Sequence, residues 1–246
     1  MGKMIERGET MTELMTEQTG GRVTATKLTK RHLLVVGQTG SGKTTTTLAL
    51  LSQLQQTSQT AIILDPTGAY AKLPNTITYR LGVNAYLEAG ALTAPQLLRV
   101  LELPADSWLV TKLEAAITAL RIQKNLLATP GVYQKRGRLT SEFEDPVARL
   151  GEWTSDYDLG CLVDQVVEET VHPYPDERAD YRLLGQEYDR EVLNAHWDQL
   201  LALRERLNAP AMRTLFGTVP TPGAAQTELD LVLQMVMSQR TNPNTI

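Results

Sequence analysis

The sequence predicts an α/β fold, with a parallel-sheet core and a large helical insertion. Three observations predict it. A short apolar run, His32 to Val36, leads through a glycine-rich turn into an unbroken helical pattern from Thr45 to Gln55. A second apolar run, Thr60 to Asp65, follows, and strand, helix, strand at this spacing makes a βαβ unit with a right-handed crossover. Past residue 90 the strand signals stop and helical periodicity takes over.

Taken in order, residues 1–21 are polar, end in Gly20-Gly21 and read as a flexible leader. Residues 22–90 form the core. Arg22 to Thr29 alternates loosely and suits an edge strand. His32-Leu33-Leu34-Val35-Val36 reads as a buried strand. Leu48, Leu51 and Leu54 share one face of the following helix. Thr60 to Asp65 is β-branched at Ile62 and Ile63 and ends in an acid before Pro66. Thr76 to Leu81 alternates and makes a third strand, closed by Gly82.

Residues 91–217 are the helical insertion. A short helix from Pro95 to Leu103 is started by Thr93. Asp106 to Leu127 is longer, with Leu109, Val110, Leu113, Ala116, Ile117 and Leu120 on one face. Residues 128–157 are looser, punctuated by Pro130, Gly131, Gly137, Pro146 and Gly151. Asp158 to Val171 is helical and buries Leu159, Leu162, Val163 and Val166. Asp176 to Asn208 reads as one long helix or two joined ones, with an interruption near Gly185. Residues 218–246 return towards the core through a loop at Pro220 and Pro222 and an amphipathic helix from Thr227 to Arg240.

Composition sets limits. At 42% hydrophobic, the 246 residues support a sizeable core. No apolar run approaches the about 18 residues of a membrane span. No signal-peptide pattern opens the chain, and no membrane partner is expected. The single Cys161 excludes an intrachain disulfide and a cysteine-cluster metal site, so a reducing cytoplasm is the expected location. The net charge of −4 hides an asymmetry: residues 1–90 carry nine Lys/Arg against six Asp/Glu, and residues 91–246 fifteen against twenty-two. That acidic excess excludes a uniformly basic nucleic-acid face.

The chemistry concentrates in Gly37-Gln38-Thr39-Gly40-Ser41-Gly42-Lys43-Thr44, which fits G-x-x-x-x-G-K-[ST] at every required position. Glycines let the backbone turn tightly with its N–H groups aimed inward at an anion. Preceded by a strand and followed by a helix, this loop marks the sheet as a P-loop NTPase core and sets the helix N-terminus against phosphates. ATP with Mg²⁺ is the expected ligand, held by residues 37–44 and Thr45. Lys43 supplies charge for the β- and γ-phosphates and Thr44 a hydroxyl ligand for Mg²⁺. Asp65, at the tip of the second strand, is the candidate to order water around Mg²⁺ or to polarise the attacking water, as a second metal-site and catalytic residue. Its alternative is to cap the turn Pro66-Thr67-Gly68.

Other patterns carry less. Asp65-Pro66-Thr67-Gly68 also fits the D-x-x-G of GTPases, but Asp65 lies only 22 residues after Lys43 and no N-K-x-D motif exists; Thr111-Lys112-Leu113-Glu114 is the nearest. No apolar strand ending in Asp supplies a Walker-B acid, and Cys161-Leu162-Val163-Asp164 is too short and sits in helical spacing. His32, His172 and His196 have no metal-ligand spacing. Tyr133-Gln134-Lys135-Arg136-Gly137-Arg138 is a small basic cluster, read as a solvated turn, with a DNA backbone as its partner otherwise. The acidic stretch Glu142 to Asp198 reads as a solvated helical surface.

His32-Leu-Leu-Val-Val-Gly-Gln-Thr-Gly-Ser-Gly-Lys-Thr resembles the HerA branch of the HerA/FtsK ATPases, in which a basic-His dipeptide precedes the strand. Asp65-Pro66-Thr67-Gly68-Ala69-Tyr70 is similar to that branch's D-P-x-G-E-Y motif, with Ala69 in place of the carboxylate. Leu92-Thr93-Ala94-Pro95-Gln96-Leu97 and Arg204-Glu205-Arg206-Leu207 through Leu215-Phe216-Gly217 resemble the start and close of its helical insert. The resemblance implies a DNA-translocating or helicase-like ATPase motor, assembled as a homo-oligomeric ring, a hexamer, that contacts DNA through the ring and serves DNA processing or antiviral defence with a nuclease partner. It implies too that the Walker-B strand and arginine finger lie beyond Ile246 in a longer motor. Two other classes stay open: a nucleotide-binding regulatory module without turnover, and a small P-loop kinase, for which no arginine-rich lid is seen.

Overall fold

The computed structural model describes residues 15–16, 22–23, 25–28, 30, 32–56, 60–151, 154–219 and 225–238. They belong to two compact units, one of residues 1–79 with 235–246, the other of residues 80–234.

In the first unit, β1 (Met15–Thr16) pairs antiparallel with β2 (Arg22–Val23). Most of the expected leader lies outside the described residues. The expected edge strand at 22–29 is two residues long and gives way to α1 (Ala25–Leu28), because Ala25, Lys27 and Leu28 are strong helix formers. The glycine turn then opens α2 (Lys43–Leu54), which buries Leu50. The runs expected as core strands differ from expectation. His32–Val36 and Thr60–Asp65 are not assigned as strands, and although Val35, Ala61 and Ile63 are half-buried, Leu34 is 82% and Leu64 89% exposed. Thr76–Leu81 is no strand either; Leu81 makes a single bridge to Ala85. A buried parallel strand needs hydrogen-bonded neighbours and apolar cover on both faces. Among the described residues these runs form no strand ladder, and most of their large apolar side chains are exposed.

The second unit opens with β3 (Ala85–Tyr86), followed by α3 (Ala94–Val100) and α4 (Ser107–Arg121). The Thr93 hydroxyl and the Gln96 side chain form a reciprocal box that starts α3. The Asp106 carboxylate accepts from the N–H groups of Trp108 and Leu109 and starts α4. The long helix expected to Leu127 ends as α-helix at Arg121 and continues as a π-helical turn, Ile122–Leu126. The region expected to be loose holds α5 (Ser141–Ala148). After a 3₁₀ turn at Leu159–Cys161 comes α6 (Leu162–Glu168), then β4 (Val171–His172). β5 (Glu187–Tyr188) pairs antiparallel with β4. α7 (Arg190–Ala195), α8 (Trp197–Asn208), α9 (Pro210–Leu215) and β6 (Thr227–Glu228) follow. α10 (Leu229–Ser238) runs across the division between the units.

The helix expected from Asp176 is thus irregular through Gln186. At Gly185 the chain presses against β4, where a Cβ would stand 2.6 Å from the Val171 side chain. Regular helix begins only after Asp189, whose carboxylate accepts from the Val192 N–H. Among the described residues β3 pairs parallel with β6, Ala85 opposite Thr227. Helices with a small parallel pair keep the molecule in the mixed α/β class.

The core of this unit is the face of α4 that carries Leu109, Leu113, Ala116 and Leu120, set against Leu97 and Leu98 of α3 and Leu162 and Val166 of α6. Each fully buried aliphatic side chain contributes about 1.5–3 kcal/mol. Leu113 is wholly buried. Leu113→Ala is expected to destabilise this unit by about 2–5 kcal/mol in urea unfolding, whereas Leu201→Ala, at a 45% exposed position of α8, is expected to stay within about 0.5 kcal/mol.

Candidate functional site

The glycine turn is built by its backbone. Gly40 and Gly42 hold φ of 83° and 88°, in the left-handed region that side chains disfavour. At Gly37 the need is space, since a Cβ would stand 2.3 Å from the Ser41 Oγ. The Ser41 N–H donates to the Gln38 carbonyl at 3.1 Å and closes the turn. Gly42 is the N-cap of α2, and no side chain caps that end. The first N–H groups of α2 therefore lack the side-chain acceptor that Thr93, Asp106 and Asp189 give to α3, α4 and α7. The Lys43 ammonium folds back over the turn and donates to the carbonyls of Gly37 at 2.8 Å and Gln38 at 2.7 Å. Gln38, Thr39, Ser41, Thr44 and Thr45 are exposed. An uncapped helix end, left-handed glycines, one ammonium and exposed hydroxyls form a donor set that suits a phosphate chain and its Mg²⁺.

Asp65 is engaged locally. Its Oδ1 accepts from the Thr67 N–H at 3.1 Å and the Thr67 hydroxyl at 2.8 Å, and its Oδ2 from the Tyr70 N–H at 2.8 Å. These donors, the Tyr70 N–H foremost, hold its carboxyl below the usual carboxylate value. Asp65 thus caps the turn that Pro66-Thr67-Gly68 promised. A carboxylate offers about four lone pairs, so accepting three bonds leaves acceptor capacity. Among the described residues no hydrogen bond joins Asp65 to the glycine turn.

The basic cluster at 133–138 is a solvated turn only in part, at the exposed Gln134, Arg136 and Gly137. Tyr133 is fully buried and Lys135 is 8% exposed. The Lys135 ammonium pairs with Glu169 and lies over the Phe143 ring at 4.2 Å. Arg138 lies over the ring of Tyr133 and Arg136 over that of Tyr188. The acidic stretch is correspondingly not all solvated, because Glu168 and Glu169 are buried within it. Asp164 lies on α6, paired with Arg204. His196 stacks on Trp108 at 3.8 Å between centroids, and the His172 Nδ1 meets the Pro173 carbonyl. Among the described residues no group of three His, Cys, Asp or Glu could hold a metal ion. Sequence reading also missed a cavity lined by Glu88, Asp156 and Tyr157, which are too far apart in the chain to form a motif.

A glycine-cradled turn that takes up its own lysine at the uncapped start of a helix fits the pattern of the P-loop ATPase class. Residues 10–197 match the family described as Helicase HerA, central domain, and the chain belongs to that family of HerA/FtsK-type ATPase motor domains. No curated protein and no solved structure matches the chain. The family match takes in both the glycine turn and the Asp65 turn. Among the described residues no helix is long and apolar enough to cross a membrane.

Two outcomes are expected. Space around Gly42 is open, so Gly42→Ala acts only through its positive φ, a cost of about 1–2 kcal/mol; ATP affinity by calorimetry should fall by about tenfold. The Asp65 carboxyl is held below 3.8, so its contribution to the turn is complete above that value and is lost as the pH falls through its lower folded value. Hydrogen exchange of the Thr67 and Tyr70 amides should show their protection lost on that acid side and, in Asp65→Asn, weakened at neutral pH as well.

Proposed function

We propose that this chain is the ATP-binding motor domain of a ring-forming DNA translocase or helicase-like ATPase. The observation that carries the reading is the Lys43 ammonium lodged over the turn at the uncapped end of α2. The N–H groups of residues 37–45 would hold the phosphates, and Lys43 would exchange its two carbonyl acceptors for phosphate oxygens. The Thr44 hydroxyl would take Mg²⁺, and the Asp65 carboxylate would order water on the metal. Mg²⁺, when bound, neutralises charge on the phosphates. The family supports the remaining parts: a homo-oligomeric ring, a hexamer by resemblance, with DNA as its track, and a nuclease partner in DNA processing or defence. We propose a cytoplasmic location, and residues 91–217 as the insertion in the ATPase core. The division of the chain at 79/80 and 234/235 supports such an insertion.

Lys43→Ala should weaken ATP–Mg²⁺ binding by at least about tenfold, since a hydrogen bond to a charged group contributes about 1.5–3 kcal/mol; equal affinity of variant and parent by calorimetry would sink the reading. With no N-K-x-D motif, GTP should compete no better than ATP, and a preference for GTP of about tenfold, about 1.4 kcal/mol, overturns the ATP assignment. Phosphate release measured with and without DNA separates a motor, which DNA stimulates, from a regulatory module that binds nucleotide without turnover.

A further inference from the structure

Thr67 stands at a variable position of the D-x-x-G pattern, in Asp65-Pro66-Thr67-Gly68, yet it supplies two of the three donors to the acid. Pro66 has no N–H to offer, so the Thr67 N–H is the first donor past the carboxylate, and it reaches Oδ1 at 3.1 Å. The Thr67 hydroxyl donates to the same oxygen at 2.8 Å. That hydroxyl also accepts from the Ala69 N–H at 3.4 Å, which leaves its own hydrogen free to point at Asp65. Gly68, at φ 72°, reverses the chain in the left-handed region. The Tyr70 N–H thereby comes back to the other oxygen, Oδ2, at 2.8 Å. Asp65, its turn and the glycine turn all belong to the first compact unit.

These bonds divide the carboxylate unequally. Each oxygen has two lone pairs. Oδ1 uses both on Thr67, whereas Oδ2 uses one on Tyr70. Among the described residues Asp65 makes no other hydrogen bond. One acceptor position is therefore left, and it is on Oδ2. A carboxylate without such partners has two equivalent oxygens and can present either one, or both edge-on. Here the choice is made before a ligand arrives. Thr67 is exposed, so water could satisfy its hydroxyl; the bond to Asp65 comes from the turn and not from burial. Groups that stand behind a metal's ligands act in this way, by fixing orientation.

We propose that Thr67 is a positioning residue: by filling Oδ1 of Asp65 it leaves Oδ2 as the oxygen that accepts from water on Mg²⁺. Thr67 acts through Asp65, so the proposal rests on the nucleotide reading, in which Asp65 orders that water. It adds which oxygen does so and which side chain selects it.

The test is calorimetric titration of the whole 246-residue protein with ATP, in Mg²⁺ and again in excess EDTA, reading the ratio of the two affinities. Thr67→Val removes the hydroxyl and keeps the branched shape and the N–H. It should lower the ratio by about tenfold, the low end of what outer-shell groups contribute to metal binding. Thr67→Ser restores the hydroxyl and should restore the ratio. Hydrogen exchange of the Tyr70 amide in the ligand-free protein separates positioning from scaffolding, because its bond to Oδ2 should stay protected in Thr67→Val. A ratio unchanged or raised in Thr67→Val overturns the proposal. So does a lowered ratio accompanied by loss of Tyr70 protection, which would make Thr67 only a part of the turn's frame. Asp65→Asn distinguishes the two levels. If it keeps the parent's ratio, or if the parent binds ATP no better in Mg²⁺ than in EDTA, the role of Asp65 falls and that of Thr67 with it. If Asp65→Asn loses the ratio while Thr67→Val keeps it, the role of Thr67 alone is overturned.

Discussion

The helical unit depends on α4 holding its neighbours with two kinds of contact at once. One face is apolar and packs on α3 and α6. From its flanks, polar side chains reach backbone carbonyls of the loops: Lys112 donates to Glu169, Arg121 to Gly151 and Thr154, and, one turn further, Asn125 to Thr154 and Asp156. Buried carbonyls without partners are costly. A cation or amide on a rigid helix satisfies them and sets where the loops run. Burial lowers the Lys112 ammonium from its usual value, and the Glu169 carboxylate works against that shift.

A second polar knot extends this frame. The Gln165 side chain acts like a stretch of backbone: its Oε1 accepts from the Tyr133 N–H at 2.6 Å and its Nε2 donates to the Tyr133 carbonyl at 3.0 Å. Glu168 accepts from the Lys135 N–H and from the Tyr188 hydroxyl, tying α6 to β5. Buried charges of this kind hold together only with every partner in place.

This explains what was legible in the sequence. The helices around Leu113 and Leu162 were, because apolar residues recur at helical spacing and Thr93, Asp106 and Asp158 mark their starts. The glycine turn before α2 was, because its eight residues make a local device needing no distant partner. The burial of Tyr133 and Lys135 within the basic cluster was not. Lys135 is buried because Glu169, 34 residues away, neutralises it, and no local pattern carries that information. The apolar runs at 32–36 and 60–65 were misread for a related reason: a strand is completed by neighbours across the sheet, and an apolar run states only half of that condition. The Asp65 turn fell between these cases, since its capping role is local and its bonds to Thr67 and Tyr70 follow from turn chemistry.

The parallel pair β3–β6 has a mechanical consequence. The chain enters the helical unit just before β3 and leaves it just after β6, and the Thr227 N–H is bonded to the Asn84 carbonyl between them. Because the strands run the same way, tension applied to the two ends of the unit pulls β3 backward and β6 forward, along the ladder instead of across it. The slanted hydrogen bonds of a parallel pair then carry the load together and cannot peel one by one. A further strap, from the Leu87 N–H to the Leu215 carbonyl at 2.8 Å, shares it. This short clasp is thus a shear lock that keeps the helical unit's two ends together when force is applied along the chain.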